Sequence, residues 1–296
     1  MKSKILRYYC SKAISPDDFE QYTPSTDLPT GKEGPLTIAE HHDNWLWIKE
    51  WQGDKIKEYP VYLNDELRLR IESYFDLTTQ RPELFLPSKQ YPIVLDRKAM
   101  LDFEESTGKH IGIVFDNSPF YYAVSDLIAP EGKKNFAYAR IIYCNPDKNG
   151  TVIIPYFTNG NEEPLIGILN VFRHSIRKNS GGEFPRGFMA PGISPEQNAA
   201  KELSEEFHIA GEQLKELVYL GKTRADTGLS AGEVNIYLAK ITGVKPCGNT
   251  GHEGIVRTEW LTENEFFRRI HNGIICDGYT QSAGCMYQLW RSSAVK

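Results

Sequence analysis

The 296-residue sequence lacks several features that would place it in a specialised class of protein. It has no low-complexity tract, and no apolar run approaches the roughly 18 residues of a membrane-spanning helix. It also lacks an excess of positive charge, since 34 Lys and Arg residues stand against 39 Asp and Glu residues, a net charge of −5. A mildly acidic chain lacks the general electrostatic attraction of a nucleic-acid binder. We therefore expect neither a membrane protein nor a nucleic-acid-binding protein.

Cysteine is scarce as well. The five cysteines are an odd number, stand far apart and form no Cys-x-x-Cys pair. This pattern argues against a disulfide framework, a zinc site and a thioredoxin-type centre. The first ten residues, MKSKILRYYC, contain an apolar stretch that is too short for a secretory signal peptide and is interrupted by Arg7. These absences predict a cytoplasmic protein with reduced thiols.

Residues 1–130 form the first of two predicted domains and carry no catalytic motif. Residues 13–40 contain four prolines among scattered Ser, Thr and Gly residues, which predicts irregular structure. The stretch 42–51 holds three tryptophans, fits both a helical and an alternating pattern, and is expected to contribute aromatic rings to the core. We therefore expect an α+β domain of unknown role. Its predicted elements are helices at 64–74 and 97–106 and a strand pair at 110–115 and 121–128.

Residues 131–296 form the second predicted domain, after the polar segment 130–135 (PEGKKN) that marks the boundary. Strand-like runs are mixed here with a few helical ones, which predicts an α/β fold with a mixed sheet between helices. The predicted strands are 136–143, 151–157, 164–176, 217–223, 233–242 and 254–261, and the predicted helices are 195–208 and two that begin near 262 and 280.

The most informative stretch of this domain is 187–209, GFMAPGISPEQNAAKELSEEFHI. Ser194, Pro195 and Gln197 have the spacing of a capping box with proline at the first helical position, which predicts a helix start. The apolar residues that recur every fourth position should form its buried stripe. These are Ala199, Leu203 and Phe207.

Three glutamates, Glu202, Glu205 and Glu206, share another face of the same helix at spacing i, i+3 and i+4. Like charges on one turn repel each other, and a hard divalent cation such as Mg²⁺ would relieve this repulsion because it binds oxygen ligands. The residues alone leave two interpretations open, a solvated acidic face or a metal site. The Gly-rich loop and the capped helix start before the acids favour the metal site.

The stretch resembles the Nudix box, G-x5-E-x7-R-E-U-x-E-E-x-G-U, where U is a bulky aliphatic residue. Three of the nine specified positions depart from the pattern, because Ile193, Lys201 and His208 stand where the box has Glu, Arg and Gly. In the family the box Glu and Arg help to hold the loop on the helix, so this chain must hold its loop differently. The six matching positions are Gly187, Glu202, Leu203, Glu205, Glu206 and Ile209.

Other segments, in the right order, are similar to the ADP-ribose pyrophosphatase branch of that family. One departure is that Asp226 and Thr227 stand where the branch has a proline in the downstream loop. The resemblance covers about residues 136–290 and implies a Nudix α/β/α sandwich with a mixed sheet. The segments are VFRHSI (171–176) with GGEFPRG (181–187), ADTGLSAGEVNIYLAKI (225–241), and HEGIVRTEWLTENEFFRRIHNGIICDGYTQSA (252–283).

The resemblance implies a Mg²⁺- or Mn²⁺-dependent hydrolase that cleaves ADP-ribose or a related nucleoside diphosphate sugar into a nucleoside monophosphate and a sugar phosphate. The implied metal ligands are Glu202 and Glu206, with Glu205 shared between ions or bound through water, and the backbone carbonyl of Arg186. Glu253 matches the loop acid that serves as general base in this branch. The positions implied to face substrate are Arg173, Glu183, the side chain of Arg186, and Glu233.

Several alternatives stay open. Glu183 and Glu233 also suit structural ion pairs, and Arg173 suits either a phosphate or a neighbouring acid. Because of its departures from the box, the chain also fits a catalytically weak or inactive Nudix module that binds a nucleotide metabolite or a partner. A third reading is hydrolysis of another pyrophosphate, such as a dinucleotide or coenzyme A. The branch often dimerises through an N-terminal β subdomain, so a homodimer is expected.

Overall fold

A computed structural model describes residues 36–294 except 53, 145–149, 160–162, 191 and 245–253. The described chain folds into two compact units, one of residues 36–116 and 122–140, the other of residues 117–121 and 141–294. The chain enters the second unit for residues 117–121, returns to the first, and enters the second again after Arg140. The sequence places a domain boundary at 130–135, and that boundary stays a prediction.

Among the described residues, two α-helices and six strands precede the central sheet. Residues 36–41 form a strand, so the prediction of irregular structure up to residue 40 is wrong there; its earlier part, 13–35, lies outside the described residues. Proline and glycine indicate only a local preference for irregular structure. Here a neighbouring strand supplies hydrogen bonds that hold the segment extended. The elements are β1 (Leu36–His41), β2 (Trp45–Gln52), β3 (Lys55–Tyr62), α1 (Asp65–Gln80), α2 (Arg97–Thr107), β4 (Gly112–Asn117), β5 (Tyr121–Ile128) and β6 (Phe136–Tyr143).

These elements form two three-stranded sheets, in the orders β1-β2-β3 and β4-β5-β6. The stretch 42–51, which fits two patterns in the sequence, contributes strand β2. Trp45 and Trp47 on this strand are buried, so the prediction that its aromatic rings belong to the core is confirmed for both. Helix α1 begins after Asn64, whose side chain accepts the N–H groups of Glu66 and Leu67 as a cap.

The second unit is built around a larger sheet. Its main strands follow the order β11-β12-β7-β8-β13, with β12 parallel to β7 and the other neighbours antiparallel, which makes the sheet mixed. The elements are β7 (Thr151–Phe157), β8 (Leu165–Arg173), β9 (Lys178–Asn179), β10 (Arg186–Gly187), α3 (Pro195–Phe207), β11 (Leu214–Thr223), β12 (Val234–Ile241), β13 (Ile255–Thr262), α4 (Glu263–His271) and α5 (Gly278–Ala294).

Apolar side chains alternate along the strands of this sheet and cover both of its faces. On one face, Ile153 and Leu169 pack in a cluster with the apolar stripe of α3. On the opposite face, Ile154 and Ile168 pack with Phe266 of α4 and with α5. The arrangement is the α/β/α sandwich that the sequence predicts. Within the described residues, no helix is both long and apolar enough to span a membrane.

Candidate active site

Helix α3 runs from Pro195 to Phe207, as the sequence predicts. The Ser194 hydroxyl accepts the N–H of Gln197 at 3.2 Å, and the Gln197 side chain accepts the N–H of Ser194 at 2.7 Å, so the capping box is present. The helix ends at His208, which has a left-handed backbone (φ 55°) where the box pattern has glycine. The predicted stripe is buried: Ala199, Leu203 and Phe207.

The three glutamates of α3 line a cavity of about 480 Å³ in the second unit. Glu202 and Glu206 are each only 7% exposed, whereas Glu205 is exposed. The volume is within the range of about 300–1,000 Å³ that is usual for small-molecule sites. Two other kinds of side chain line the same cavity: the basic residues Arg173, Arg186 and Lys201, and the aromatic residues Phe120, Tyr143, Phe188 and Tyr279.

Strand β10 lies directly against two of the glutamates. A Cβ atom on Gly187 would overlap the carboxylate group of Glu202, so only glycine lets this carboxylate approach the strand so closely. Glu206 is held on the same strand, because its Oε2 accepts the backbone N–H of Arg186 at 3.1 Å. The resemblance places Arg186 and Gly187 in one site with Glu202 and Glu206. These residues are in contact in the fold.

Asn198 is a residue of this site to which the sequence analysis assigns no role. It lies one turn before Glu202, and its Nδ2 donates to the Thr151 hydroxyl at 2.8 Å and to the carbonyl of Gly187 at 3.4 Å. It thus connects α3 to both β7 and β10. The only hint in the sequence is a polar residue beside Ala199 on the buried side of a helix. Among the described residues, its Oδ1 is a buried oxygen that has no hydrogen-bond partner.

Lys201 stands where the box pattern has arginine, and it contacts the acids of its own helix. Its Nζ lies 2.7 Å from Glu205 Oε2 and 3.1 Å from Glu202 Oε1. Burial disfavours the charged ammonium, but the two carboxylates outweigh this and raise the pKa of Lys201. The half-buried Ile193 offers no charge at the position of the box glutamate, so Lys201 pairs with the glutamates instead.

Arg173 and Arg186 converge on the buried carboxylate of Glu183. Arg173 Nη2 donates to Glu183 Oε2 at 2.5 Å, and Arg186 Nη2 lies 2.9 Å from the same oxygen. Arg186 also donates to Asp277 at 2.9 Å, and Asp277 accepts the N–H and the hydroxyl of Thr280 in the first turn of α5. Glu183 therefore makes the ion pairs that its structural interpretation predicts. Both arginines also line the cavity.

The remaining sequence-predicted positions lie in different places. Glu233 pairs with Lys222 at 2.9 Å and with Arg224 at 3.2 Å, and only its neighbour Val234 is among the described residues that line the cavity. Glu253, the predicted general base, lies outside the described residues. The described part of the chain thus brings together the three glutamates with Arg173 and Arg186.

The oxygen atoms of this site fit a hard divalent cation such as Mg²⁺. Carboxylates and backbone carbonyls are the ligands that this ion takes in proteins. Three carboxylates of one helical turn line one cavity, and Gly187 leaves the space that the Glu202 carboxylate fills. The Lys201 ammonium shows that positive charge is accommodated between Glu202 and Glu205.

A second group of possible ligands lies in the first unit. Ligand atoms of Glu40, His42 and Asp102 lie within 4.8 Å of one another. Lys98 Nζ lies 2.9 Å from carboxylate oxygens of both Glu40 and Asp102, and His42 Nδ1 lies 2.6 Å from Glu105. Acidic groups at the protein surface are common without a bound ion, and we assign no metal ion to this group.

Comparison with known proteins finds a likeness among solved structures. No protein-family model matches the chain, and no curated protein matches it. Among solved structures, the chain is similar to one described as the crystal structure of ADP compounds hydrolase, with 14% sequence identity and a TM-score of 0.47. The match covers 63% of this chain and 98% of the other.

Proposed function

We propose that this protein is a Mg²⁺- or Mn²⁺-dependent member of the Nudix superfamily. Its substrate is ADP-ribose or a related nucleoside diphosphate sugar. Hydrolysis adds water across the P–O–P bond: the hydroxyl group stays on one phosphorus atom and a proton ends on the leaving phosphate. The products are a nucleoside monophosphate and a sugar phosphate.

One observation carries this proposal: three carboxylates from one turn of α3 share a cavity with two arginines. Glu202 and Glu206 are buried, and buried carboxylates are retained where donors or cations compensate them, as Lys201 and the Arg186 N–H do here. A pyrophosphate has the opposite requirement, because positive charge must offset its phosphate oxygens. A divalent cation held by these carboxylates would supply positive charge for both.

Each residue then has a defined task. Glu202 and Glu206 would hold the cation, and Glu205 and the backbone carbonyl of Arg186 would be further ligands. The cation, when bound, neutralises phosphate charge and lowers the pKa of a bound water. Arg173 and Arg186 add positive charge to the same cavity and orient the phosphates.

On the basis of the sequence resemblance, Glu253 accepts a proton from the attacking water in this scheme. A positioned general base usually contributes about 10²- to 10⁴-fold to the rate. Glu253→Gln should therefore lower kcat by at least about a hundredfold while Mn²⁺ binding, measured by calorimetry, stays unchanged. A loss below about tenfold would assign the proton to another group.

The central test is turnover of a panel of nucleotide sugars, dinucleotides and coenzyme A, with and without Mg²⁺. We expect metal-dependent release of AMP from ADP-ribose, and loss of this activity in Glu206→Gln. Glutamine still offers an oxygen to the Arg186 N–H, so the variant removes charge and retains that contact. Glu212→Gln, at an exposed acid after α3, is the matched control and should remain active. Turnover by Glu206→Gln at the wild-type rate would refute the metal assignment.

A second candidate function is binding without hydrolysis. The observation that favours it is the pairing of Lys201 with two of the three glutamates, which neutralises the acids without a metal ion. In that case no member of the panel would turn over with either Mg²⁺ or Mn²⁺, while ADP-ribose would still bind in calorimetry. Turnover of only a dinucleotide or only coenzyme A would support the remaining hypothesis, hydrolysis of another pyrophosphate.

A further inference from the structure

Two phenylalanines with half-exposed rings line the same cavity as the α3 glutamates. Phe188 follows Gly187 directly and is 48% exposed, and Phe120 is 50% exposed. The Nudix box pattern specifies no residue at the position of Phe188, so the resemblance assigns this ring no role. Phe120 comes from the segment 117–121, which belongs to the second unit.

The rings form a continuous aromatic group. The centroids of Phe120 and Phe188 lie 6.0 Å apart with an interplanar angle of 44°, and Tyr143 meets Phe188 edge-on at 5.2 Å and 68°. These separations are within the 4.5–7 Å of interacting aromatic pairs. The three rings therefore support one another and present a shared apolar surface to the cavity.

Backbone contacts hold these rings in place. The carbonyl of Phe120 accepts the N–H of Cys144 at 3.0 Å, which ties the segment 117–121 to the end of β6 next to Tyr143. A Cβ atom on Gly232 would overlap the ring of Tyr143. Because glycine has no Cβ, the ring packs directly against the backbone at residue 232. The aromatic group is thus prearranged, which lowers the entropy cost of binding a ligand.

We propose that Phe120, Tyr143 and Phe188 form an aromatic platform that receives the nucleobase of the substrate. This inference rests on the proposed function, since it requires that a nucleoside diphosphate occupies the cavity. Aromatic ring faces left in water are unfavourable, and a planar base covers them by stacking. Phosphate oxygens gain nothing from such faces and are drawn to the arginines and the cation instead.

The platform also predicts how selective the site is. The two phenylalanine side chains have no hydrogen-bonding group, and every base has an aromatic face that can stack on them. The contribution of the platform should therefore be similar for adenine, guanine and pyrimidine nucleotides. A ligand without a base should receive none of it.

The test compares AMP with ribose 5-phosphate, which has the same sugar and phosphate but no base, by calorimetry on the full chain in MgCl₂. Phe188→Ala should weaken AMP binding by about tenfold or more and change ribose 5-phosphate binding by less than twofold. Phe120→Ala should act in the same direction. The matched control is Leu289→Ala, which removes an exposed apolar side chain from α5 and should change neither affinity.

A spectroscopic readout separates stacking from a merely structural effect. The fluorescence of 2-aminopurine riboside 5′-monophosphate should fall when it stacks on wild-type protein or on Phe188→Trp. The decrease should be much smaller with Phe188→Leu, which retains apolar bulk and loses the aromatic face. Equal weakening of AMP and ribose 5-phosphate by Phe188→Ala, or unchanged AMP affinity, would overturn the platform.

The outcomes also separate this inference from the proposed function. Base-dependent binding without turnover of ADP-ribose would retain the platform and refute the hydrolase. Metal-dependent turnover with the same affinity for AMP and ribose 5-phosphate would retain the hydrolase and refute the platform. Binding of neither compound by the wild-type chain would refute the platform as well.

Discussion

Lys201 is the residue whose placement has the clearest energetic effect on the candidate site. Its ammonium lies between Glu202 and Glu205 and removes much of the repulsion on that turn. A divalent cation that uses these carboxylates must compete with the ammonium. Water reaches the Lys201–Glu205 ion pair, and this limits the competition. Partly solvated ion pairs each contribute only about 0.2–1 kcal/mol.

Replacing Lys201 by methionine should therefore strengthen metal binding. We expect Lys201→Met to bind Mn²⁺ about five- to tenfold more tightly than wild type, as measured by calorimetry or electron paramagnetic resonance. Lys240→Met is the matched control, because Lys240 pairs with Glu216 at 2.7 Å on another part of the sheet. Weaker Mn²⁺ binding in Lys201→Met would show that the lysine supports the cation and does not compete with it.

Gly187 gives an independent test of the same site. A methyl group at this position would occupy the space of the Glu202 carboxylate, which would have to leave strand β10. Gly187→Ala should lower Mn²⁺ affinity at least about tenfold, the loss of one well-placed ligand. Gly243→Ala, at a glycine without a left-handed backbone whose added Cβ would meet no atom within 4 Å, is the control for glycine replacement. Unchanged affinity in Gly187→Ala would remove Glu202 from the ligand set.

At this scale the sequence predicts the acids and misses their supports. The i, i+3, i+4 spacing is a property of one helix, so Glu202, Glu205 and Glu206 are visible in the sequence. Asn198 and Phe120 act through contacts across the fold, with Thr151 and Phe188. No local pattern encodes such contacts.

Both ends of helix α3 lie within one residue of the predicted range 195–208, but only the first end is closed by a predicted cap. The capping box at Ser194 follows from a local rule and is present. The other end required knowing how a residue other than glycine could close the helix. His208 closes it in the left-handed conformation, with its N–H directed at the carbonyls of Leu203 and Ser204. That conformation costs a residue with a Cβ atom roughly 1–2 kcal/mol.

His208→Gly should therefore stabilise the protein. Part of the strain relief is offset because glycine loses more backbone freedom on folding, which leaves a gain of about 1 kcal/mol in the free energy of unfolding. Urea unfolding measures it as a higher midpoint with an unchanged slope. His208→Ala keeps the Cβ atom and should not gain stability. A gain of equal size in the alanine variant would contradict the backbone explanation.

Helices α1 and α2 are joined by a pair that the sequence does not predict, Arg70 with Glu104. Burial alone would raise the pKa of Glu104, but Arg70, His110 and the N–H of Ile111 together lower it. A carboxyl with a lowered pKa stabilises the fold above its unfolded pKa, and this contribution is lost as the pH falls through the folded value.

Glu104→Gln should thus destabilise the protein at pH 7 by about 2–3 kcal/mol, because a charged hydrogen-bond acceptor is lost. Below the unfolded pKa of about 4.3 the difference from wild type should shrink as the wild-type carboxyl becomes protonated. Urea unfolding at pH 7 and pH 3.5 measures both values. Glu131→Gln, at an exposed acid, is the control, and an equal Glu104→Gln deficit at both pH values would contradict the ionic explanation.

On the scale of the whole molecule, a divalent cation should stabilise the folded chain. A ligand that binds only the folded state at about 100 times its Kd adds about 2.7 kcal/mol, which raises the unfolding temperature by roughly 5–10 °C for a unit of this size. We expect this shift with MgCl₂ or MnCl₂ in thermal unfolding, and its loss in a Glu202→Gln, Glu206→Gln double variant. NaCl at equal ionic strength is the control. The same shift in the double variant would place the cation elsewhere.

The sequence also leads to expectations about the whole molecule that remain predictions. Sedimentation of the full chain measures whether it forms the expected homodimer. The role of residues 1–130 is tested by asking whether the oligomeric state and the activity change together. The sandwich itself was predictable, because alternating apolar strands and one capped helix are local signals. The order of its strands was not, because the parallel pairing of β7 with β12 joins segments far apart in the sequence.

The lysine within the acidic turn also bears on how the chain is made. Sites built from carboxylates alone carry mutual repulsion until metal arrives, which ties folding to metal supply. Here α3 carries its own counter-ion in Lys201, so folding of this turn should depend less on the presence of metal. If the proposed metal site is correct, metal would bind after folding, and a chelator should remove the ion without unfolding the protein.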